Sequence, residues 1–174
     1  MLYSATYHSP VGKLLLAGNE AGLSGLWIEN QKYYANTLPS NTTENNEFQL
    51  FASVINWLDR YFQGKHPPIS ELQLAPQGSM FRQMIWKILC EIPYGQVLTY
   101  GQIATIVARR SGRQSMSAQA VGGAVGHNPI AIIIPCHRVI GTDGNLTGYA
   151  GGLDIKIQLL RHEGFDTTRL FCPR

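Results

Sequence analysis

Hydrophobic and polar positions alternate near the start of this chain and then change to a helical period. Three short runs, LYSATYH, GKLLLAG and GLSGLWIE, are separated by the turn sequences SPVG and NEAG. They predict a meander of three antiparallel strands. Apolar residues then recur at three- and four-residue spacing, which predicts one amphipathic helix that ends at Gly64. The apolar positions of this helix are Phe48, Phe51, Ile55, Leu58 and Phe62.

A proline-containing stretch, GKHPPISELQLAPQGS, follows the predicted helix and has the composition of a linker or an edge strand. We place a domain boundary there. Residues 1–75 are expected to form a small domain of antiparallel sheet plus helix, and residues 76–174 a mainly helical domain. The expected fold class is α+β.

The second half predicts four helices. The first contains Phe81 and Ile85 and stops at IPYG, whose proline and glycine end it. The second begins in TYGQIATIVARR, where Thr99 and Gln102 have the spacing of a capping box. A third lies in SAQAVGGAVGHN, after an Arg-containing loop, so the pair has the form of a helix-turn-helix. The fourth, LDIKIQLLRHEG, stops at Gly164.

The segment IAIIIPCHRVIG, residues 130–141, is a continuous apolar run that ends in Pro135. It predicts a short buried strand that places Cys136 at its end, where a turn begins. A free thiol has a pKa of about 8.5, so a nucleophilic cysteine needs a nearby base or cation. His137 and Arg138 are candidates, and a buried structural cysteine beside a core histidine is the alternative. On an extended chain, neighbouring side chains diverge, so contact between Cys136 and His137 requires a turn or a bridging water.

Glu163 is placed at the C-terminal end of a predicted helix, where an anion is unfavourable because of the helix dipole. The placement suggests a partner for the carboxylate. A carboxylate bound to one imidazole nitrogen would fix the tautomer of a histidine, as in catalytic triads. Arg161 and His162 fit equally well as solvated cations or as cations that cap the C-terminus of the helix.

Composition narrows the possible classes of protein. The chain has 174 residues, 44% of them hydrophobic, which allows one large or two small domains. No apolar run is long enough for a membrane span, and the first residues lack the pattern of a signal peptide. Three widely separated cysteines fit a reducing compartment, so we expect a cytoplasmic protein.

Charge is unevenly distributed along the chain. Residues 1–75 hold four Lys/Arg and six Asp/Glu, a net charge of −2, whereas residues 76–174 hold ten and five, a net charge of +5. A basic second half favours a polyanion as partner. Small residues in AQAVGGAVG allow either tight helix packing or close approach of the helix to a nucleic-acid groove.

The motifs IPCHRVIG and GYAGGLDIKIQLLRHEG, with TYGQIA, AVGGAVGHNP and FRQMIWKIL upstream, closely resemble the O6-alkylguanine-DNA alkyltransferases. This family is also called the methylated-DNA--protein-cysteine methyltransferases. The match runs in order over residues 79–164, and residues 1–75 share only the general pattern. The resemblance implies direct-reversal repair of O6-alkylguanine in double-stranded DNA by a monomer without a cofactor, and leaves O4-alkylthymine open as a second substrate.

The resemblance implies roles for individual residues. Cys136 is the acceptor that attacks the alkyl carbon directly and ends as a thioether, so the protein is consumed in one turnover. His137 is the base, acting through a water, and Glu163 orients it. Asn128 holds the turn before the active-site segment, and Tyr100 donates to the guanine as it leaves.

Further residues match the substrate pocket and the DNA-binding surface of the family. Val139, Tyr149 and Ala150 match the pocket, and Lys156 matches a lysine near it. The remaining expected DNA contacts are Gln119, Ala120, Gly122, Gly123 and Arg138. Many relatives carry an arginine where this chain has Gln119, so we expect DNA binding that is weaker and less salt-dependent than that of a Gln119→Arg variant.

Three other functions fit parts of the pattern. A cysteine hydrolase would use the same Cys-His-carboxylate group but would turn over. A non-catalytic lesion-binding relative would lack the cysteine. A helix-turn-helix regulator would need long polar side chains on the second helix, which AQAVGGAVG does not supply. No Cys-x-x-Cys or His-x-x-x-His spacing predicts a metal site.

Overall fold

The predicted N-terminal meander is present in the computed structural model, which describes residues 1–146 and 148–172. Strands β1 (Tyr3–Ser9), β2 (Gly12–Asn19) and β3 (Gly22–Ile28) are antiparallel neighbours. A two-residue strand that the sequence did not reveal, β4 (Thr43–Glu44), pairs parallel with β1. The sheet order is therefore β3-β2-β1-β4, and the sheet is mixed rather than purely antiparallel.

Helix α1 (Gln49–Phe62) lies where the apolar period predicted it. Its buried face contains the predicted Phe51 and Leu58 together with residues that the prediction omitted, which are Val54, Trp57 and Tyr61. Trp57 and Tyr61 have amphipathic rings that can be buried when their polar atom finds a partner. The Trp57 Nε1 atom donates to the Pro68 carbonyl at 3.0 Å.

The chain forms two compact units. The first comprises Met1–Gln77 together with Pro129–Ile133, and the second comprises Gly78–Asn128 and the chain from Ile134 onward. The division thus falls between Gln77 and Gly78, and five later residues join the first unit by backbone hydrogen bonds. Leu26 N donates to Pro129 O at 2.8 Å, and Ala131 N donates to Leu26 O at 2.9 Å.

The second unit contains all four predicted helices. They are α2 (Met80–Cys90), α3 (Tyr100–Arg110), α4 (Ala118–Gly126) and α5 (Leu153–His162). Two short strands, β5 (Leu98–Thr99) and β6 (Val139–Ile140), pair in parallel. The α+β class expected from the sequence is confirmed.

Hydroxyl caps fix where α3 and α4 begin. Thr99 and Gln102 form the predicted capping box, with Gln102 N donating to Thr99 Oγ1 at 3.1 Å and Thr99 N donating to Gln102 Oε1 at 2.8 Å. Ser117 Oγ accepts from Ala120 N at 3.3 Å. Each cap stabilises its helix by about 1 kcal/mol. No helix in residues 1–146 and 148–172 is long and apolar enough to cross a membrane.

Candidate active site

The segment that carries Cys136 is a series of tight turns. Ile130 forms an isolated bridge with Leu26 and no strand follows it, because residues 131–134 form turns. The predicted strand over residues 130–135 is therefore wrong. The apolar sequence of this segment reflects burial and not strand conformation, because its apolar side chains are all less than a tenth exposed although the backbone forms turns.

Two backbone hydrogen bonds, each between residues two positions apart in the chain, shape this segment. Ile133 N donates to Ala131 O at 2.8 Å around Ile132, whose φ is +69°. Cys136 N donates to Ile134 O at 2.8 Å around Pro135, whose φ and ψ are −81° and 65°, the values of an inverse γ-turn. A positive φ at a β-branched residue is strained, and the surrounding burial maintains it.

Cys136 begins a single 3₁₀ turn, Cys136–Arg138, and its side chain is buried. Its Sγ accepts from Asn128 Nδ2 at 3.1 Å, and the same nitrogen donates to Ile134 O at 2.7 Å. Burial raises the pKa of the Cys136 thiol, although the Asn128 hydrogen bond and the Lys156 charge act in the opposite direction. The resting sulfur is therefore a thiol that needs a proton acceptor.

His137 is completely buried and forms a 2.6 Å hydrogen bond from Nε2 to Glu163 Oε1. Glu163 is the C-cap of α5, so the expected pairing of the helix-terminal carboxylate with the histidine is present. Burial lowers the pKa of His137, and together with the charges of Arg138 and Lys156 it outweighs the opposing effect of Glu163. Among the described residues, the other ring nitrogen, Nδ1, has no hydrogen-bond partner and is buried.

Arg138, which we expected to contact DNA, points into the protein and is only 6% exposed. Its Nε and Nη2 atoms donate to the two Glu163 oxygens at 2.8 and 3.0 Å, and Nη1 donates to Ile92 O at 2.6 Å. The guanidinium is thus committed to buried acceptors. Arg138 is therefore a structural partner of Glu163 and not the DNA contact that we expected.

Lys156 is also completely buried, on the inner face of α5 beside Leu159 and Leu160. Its Nζ donates to the Val139 carbonyl at 2.5 Å. Burial lowers the pKa of Lys156 to about 8, and the Cys136 sulfur raises it by a smaller amount. Val139 and Lys156, both expected near the pocket, are therefore in direct contact.

Two tyrosines flank the thiol. Burial raises the pKa of Tyr100 to about 12, and its hydroxyl lies 3.5 Å from the Gly148 carbonyl oxygen. The Tyr149 hydroxyl is buried close to the Cys136 sulfur and interacts with it. Burial raises its pKa well above the ordinary value. Ala150 follows in a half-exposed turn.

The expected DNA-binding residues on α4 form the outer side of that helix. Gln119, Ala120 and Gly123 are exposed, whereas Gly122 is half-buried against the ring of Tyr100. The inner side of α4 packs on α2, and Ala124 O accepts from Trp86 Nε1 at 2.9 Å. The packing interpretation of the small residues is confirmed on the inner side, whereas close approach of the outer side to a nucleic-acid groove stays a prediction.

Sequence reasoning missed the turn that follows α2, which we treated only as a helix stop. Gly95 N donates to Glu163 Oε2 at 3.1 Å, and the Tyr94 ring lies beneath the Arg138 guanidinium, 5.7 Å from Cζ to the ring centroid. Gly95 has a φ of +74°, and a β-carbon there would lie 2.7 Å from Glu163 O. The glycine in IPYG was the available signal, since only glycine fits this position.

Comparisons with known proteins agree with this geometry. Residues 2–76 match the 6-O-methylguanine DNA methyltransferase, ribonuclease-like domain, and residues 80–165 match the 6-O-methylguanine DNA methyltransferase, DNA binding domain. The chain is 47% identical over 163 residues to a methylated-DNA--protein-cysteine methyltransferase of Methanosarcina barkeri, covering 93% of this chain and 97% of that protein. A Haemophilus influenzae protein of the same name is 40% identical over 162 residues, covering 93% and 86%.

A solved structure gives the same result. The Mycobacterium tuberculosis OGT in complex with DNA superposes with a TM-score of 0.80 at 39% identity, covering 97% of this chain and 94% of that one. The aligned region covers both units of this chain. This chain therefore belongs to the family of methylated-DNA--protein-cysteine methyltransferases.

Proposed function

We propose that this protein repairs DNA by direct reversal, transferring the alkyl group from O6 of guanine in double-stranded DNA to Cys136. The observation that carries the proposal is the buried Cys136 thiol, which has an amide donor on its sulfur and is followed in the same turn by a histidine bound to the Glu163 carboxylate. The alkyl carbon forms a bond to Sγ while its bond to O6 breaks. Because the thioether is stable, each protein molecule acts once.

The thiol proton must leave as the sulfur attacks, because burial disfavours the thiolate. His137 is the proposed acceptor, through one water at its buried Nδ1 atom. Glu163, bound to Nε2, keeps Nδ1 in the acceptor tautomer and stabilises the imidazolium that forms. The proposed roles of Cys136, His137 and Glu163 are thus nucleophile, base and orienting group.

The guanine leaves with an extra electron pair and takes up a proton. Tyr100 is the proposed donor, since it lies close enough to Cys136 for the two groups to interact electrostatically. Val139, Tyr149 and Ala150 are the proposed lining of the base pocket. Asn128 is proposed to hold the turn that presents the sulfur, through its two hydrogen bonds.

Access to O6 requires that the nucleotide leave the base stack, at a cost of a few kcal/mol. We propose that α4 enters the minor groove, where its small exposed residues let backbone approach the duplex. Gln119 would fill the gap left in the stack. In this proposal residues 76–174 form the DNA-binding and alkyl-transfer domain of a monomer that acts in the cytoplasm, where thiols stay reduced.

Mass spectrometry tests the proposal against a hydrolytic function. After mixing with excess O6-methylguanine duplex, one methyl group, about 14 Da, should appear on the peptide that contains Cys136 and should never exceed one per protein. Cys136→Ala should acquire none, whereas Cys172→Ser, which removes an exposed cysteine, should react like the wild type. Repeated turnover without modified protein would contradict the proposal.

A further inference from the structure

We propose that Arg138 is a positioning residue whose guanidinium fixes the Glu163 carboxylate, so that Glu163 orients His137 without accepting its proton. The inference rests on the proposed function, because it assigns a part in the same proton transfer. It replaces the expected role of Arg138 in DNA binding.

The carboxylate of Glu163 is fully occupied. Oε1 accepts from His137 Nε2 at 2.6 Å and from Arg138 Nη2 at 3.0 Å. Oε2 accepts from Arg138 Nε at 2.8 Å and from Gly95 N at 3.1 Å. Each oxygen of a carboxylate has two lone pairs, so four donors fill all four positions. A proton passed along the His137 hydrogen bond would neutralise the carboxylate that the Arg138 cation and the Gly95 amide stabilise, so these three remaining hydrogen bonds oppose the transfer.

The guanidinium is itself held from two further sides. Nη1 donates to Ile92 O at 2.6 Å, and the Tyr94 ring lies against the cation. The turn after α2 therefore fixes Arg138, Arg138 fixes Glu163, and Glu163 fixes His137. A lysine could not replace the arginine, because an ammonium is a point donor and cannot bridge both carboxylate oxygens in a plane.

The charges around His137 give Arg138 a second effect. Glu163 favours the imidazolium, whereas Arg138 and Lys156 disfavour it, and burial disfavours it further. Cys136 precedes His137 in the same turn, and Tyr94 lies close enough to Glu163 to interact with it. His137 is therefore neutral at rest and ready to accept a proton. Glu163 stays ionised because the hydrogen bond from His137 and the hydrogen bonds and charge of Arg138 outweigh its burial and lower its pKa.

Two variants separate positioning from charge. Arg138→Gln removes the cation and keeps one amide donor, so the pH at which His137 titrates should rise by about one unit. The acid limb of the alkyl-transfer rate should move to higher pH by the same amount. Arg138→Lys keeps the charge and loses the planar fork, so the transfer rate should fall about tenfold with the limb unmoved.

Arg60→Gln is the matched control, because Arg60 forms a similar two-pronged pair with Glu71 on the surface of the first unit. It should leave both the rate and the pH profile unchanged. A titration of His137 by NMR needs no substrate, so it tests the role of Arg138 even if wild type fails to transfer a methyl group. Such a failure would overturn the proposed function alone.

Several outcomes would overturn the inference. An Arg138→Gln protein in which His137 titrates as in wild type would do so. If Arg138→Gln does not fold, Arg138→Lys decides, since transfer at the wild-type rate would show that the fork is not needed. A purely structural role would lower the melting temperature of both variants without moving the acid limb in Arg138→Gln.

Discussion

One side-chain nitrogen, Asn128 Nδ2, contacts the Cys136 sulfur at 3.1 Å and also donates to the Ile134 carbonyl at 2.7 Å. It uses both of its hydrogens and is buried. The amide therefore closes the turn before the cysteine and at the same time places a donor on the nucleophile. Stability and reactivity depend on the same group.

Replacing Asn128 by alanine should affect both properties. Asn128→Ala leaves the buried Ile134 carbonyl without this donor, so the free energy of unfolding should fall by about 1–3 kcal/mol. Asn128→Asp should slow alkyl transfer more than alanine does, because an anion beside the sulfur disfavours the thiolate. Urea denaturation and single-turnover methyl transfer measure the two effects. Asn56→Ala, on the exposed face of α1, should change stability by less than about 0.5 kcal/mol.

Methylation of Cys136 should destabilise the protein. The sulfur is buried and already in contact with Asn128, so an added methyl group must displace packed neighbours at a cost of about 1–3 kcal/mol. For a chain of this length, each kcal/mol lowers the melting temperature by about 2–4 °C. Calorimetry of the protein after reaction and removal of DNA should show this decrease. A melting temperature at or above that of the unreacted protein would contradict it.

Local signals predicted the helices because each is specified by its own residues. The Thr99 capping box and the apolar period of α1 both depend on contacts within a few residues. The path of residues 130–135 could not be found in this way. An apolar run indicates burial but not backbone conformation, and the two tight turns around Ile132 and Pro135 leave no period in the sequence.

The candidate site was predictable only where a residue type implies its chemistry. Cys136, His137 and Glu163 were found because a thiol, a base and a carboxylate suggest a known arrangement. Arg138 was misplaced as a DNA contact and the complete burial of Lys156 was not foreseen, since charged side chains are almost never fully buried unless paired. Their partners, the Glu163 carboxylate and the Val139 carbonyl, are set by tertiary contacts.

Lys156 should make stability depend on pH in the alkaline range. Its pKa is lowered to about 8 by burial, so between that value and the ordinary one the unfolded chain holds a proton that the folded protein has lost. Stability therefore rises with pH between about 8 and the ordinary pKa of lysine, by up to about 1.4 kcal/mol per pH unit, and Lys156 adds no pH dependence below about 8.

The measurement compares wild type with Lys156→Met by urea denaturation at several pH values from about 7 to 9.5. The raised pKa of Cys136 has the opposite effect on stability above its ordinary value, but both proteins share it and it largely cancels in the difference. The stability of wild type relative to Lys156→Met should rise with pH. A difference that is flat with pH would show that Lys156 keeps its ordinary pKa.

Gln119 is exposed near the start of α4, where an arginine would add a charge facing the proposed DNA surface. Gln119→Arg should bind duplex DNA more tightly, and the plot of log affinity against log salt should steepen by about 0.9, the release of one more counterion. Methyl transfer at saturating DNA should persist in both proteins. Gln49→Arg, which adds the same charge on exposed α1, should leave the slope unchanged. Equal slopes for wild type and Gln119→Arg would mean that residue 119 does not approach the phosphates, and the proposed position of α4 in the groove would then be wrong.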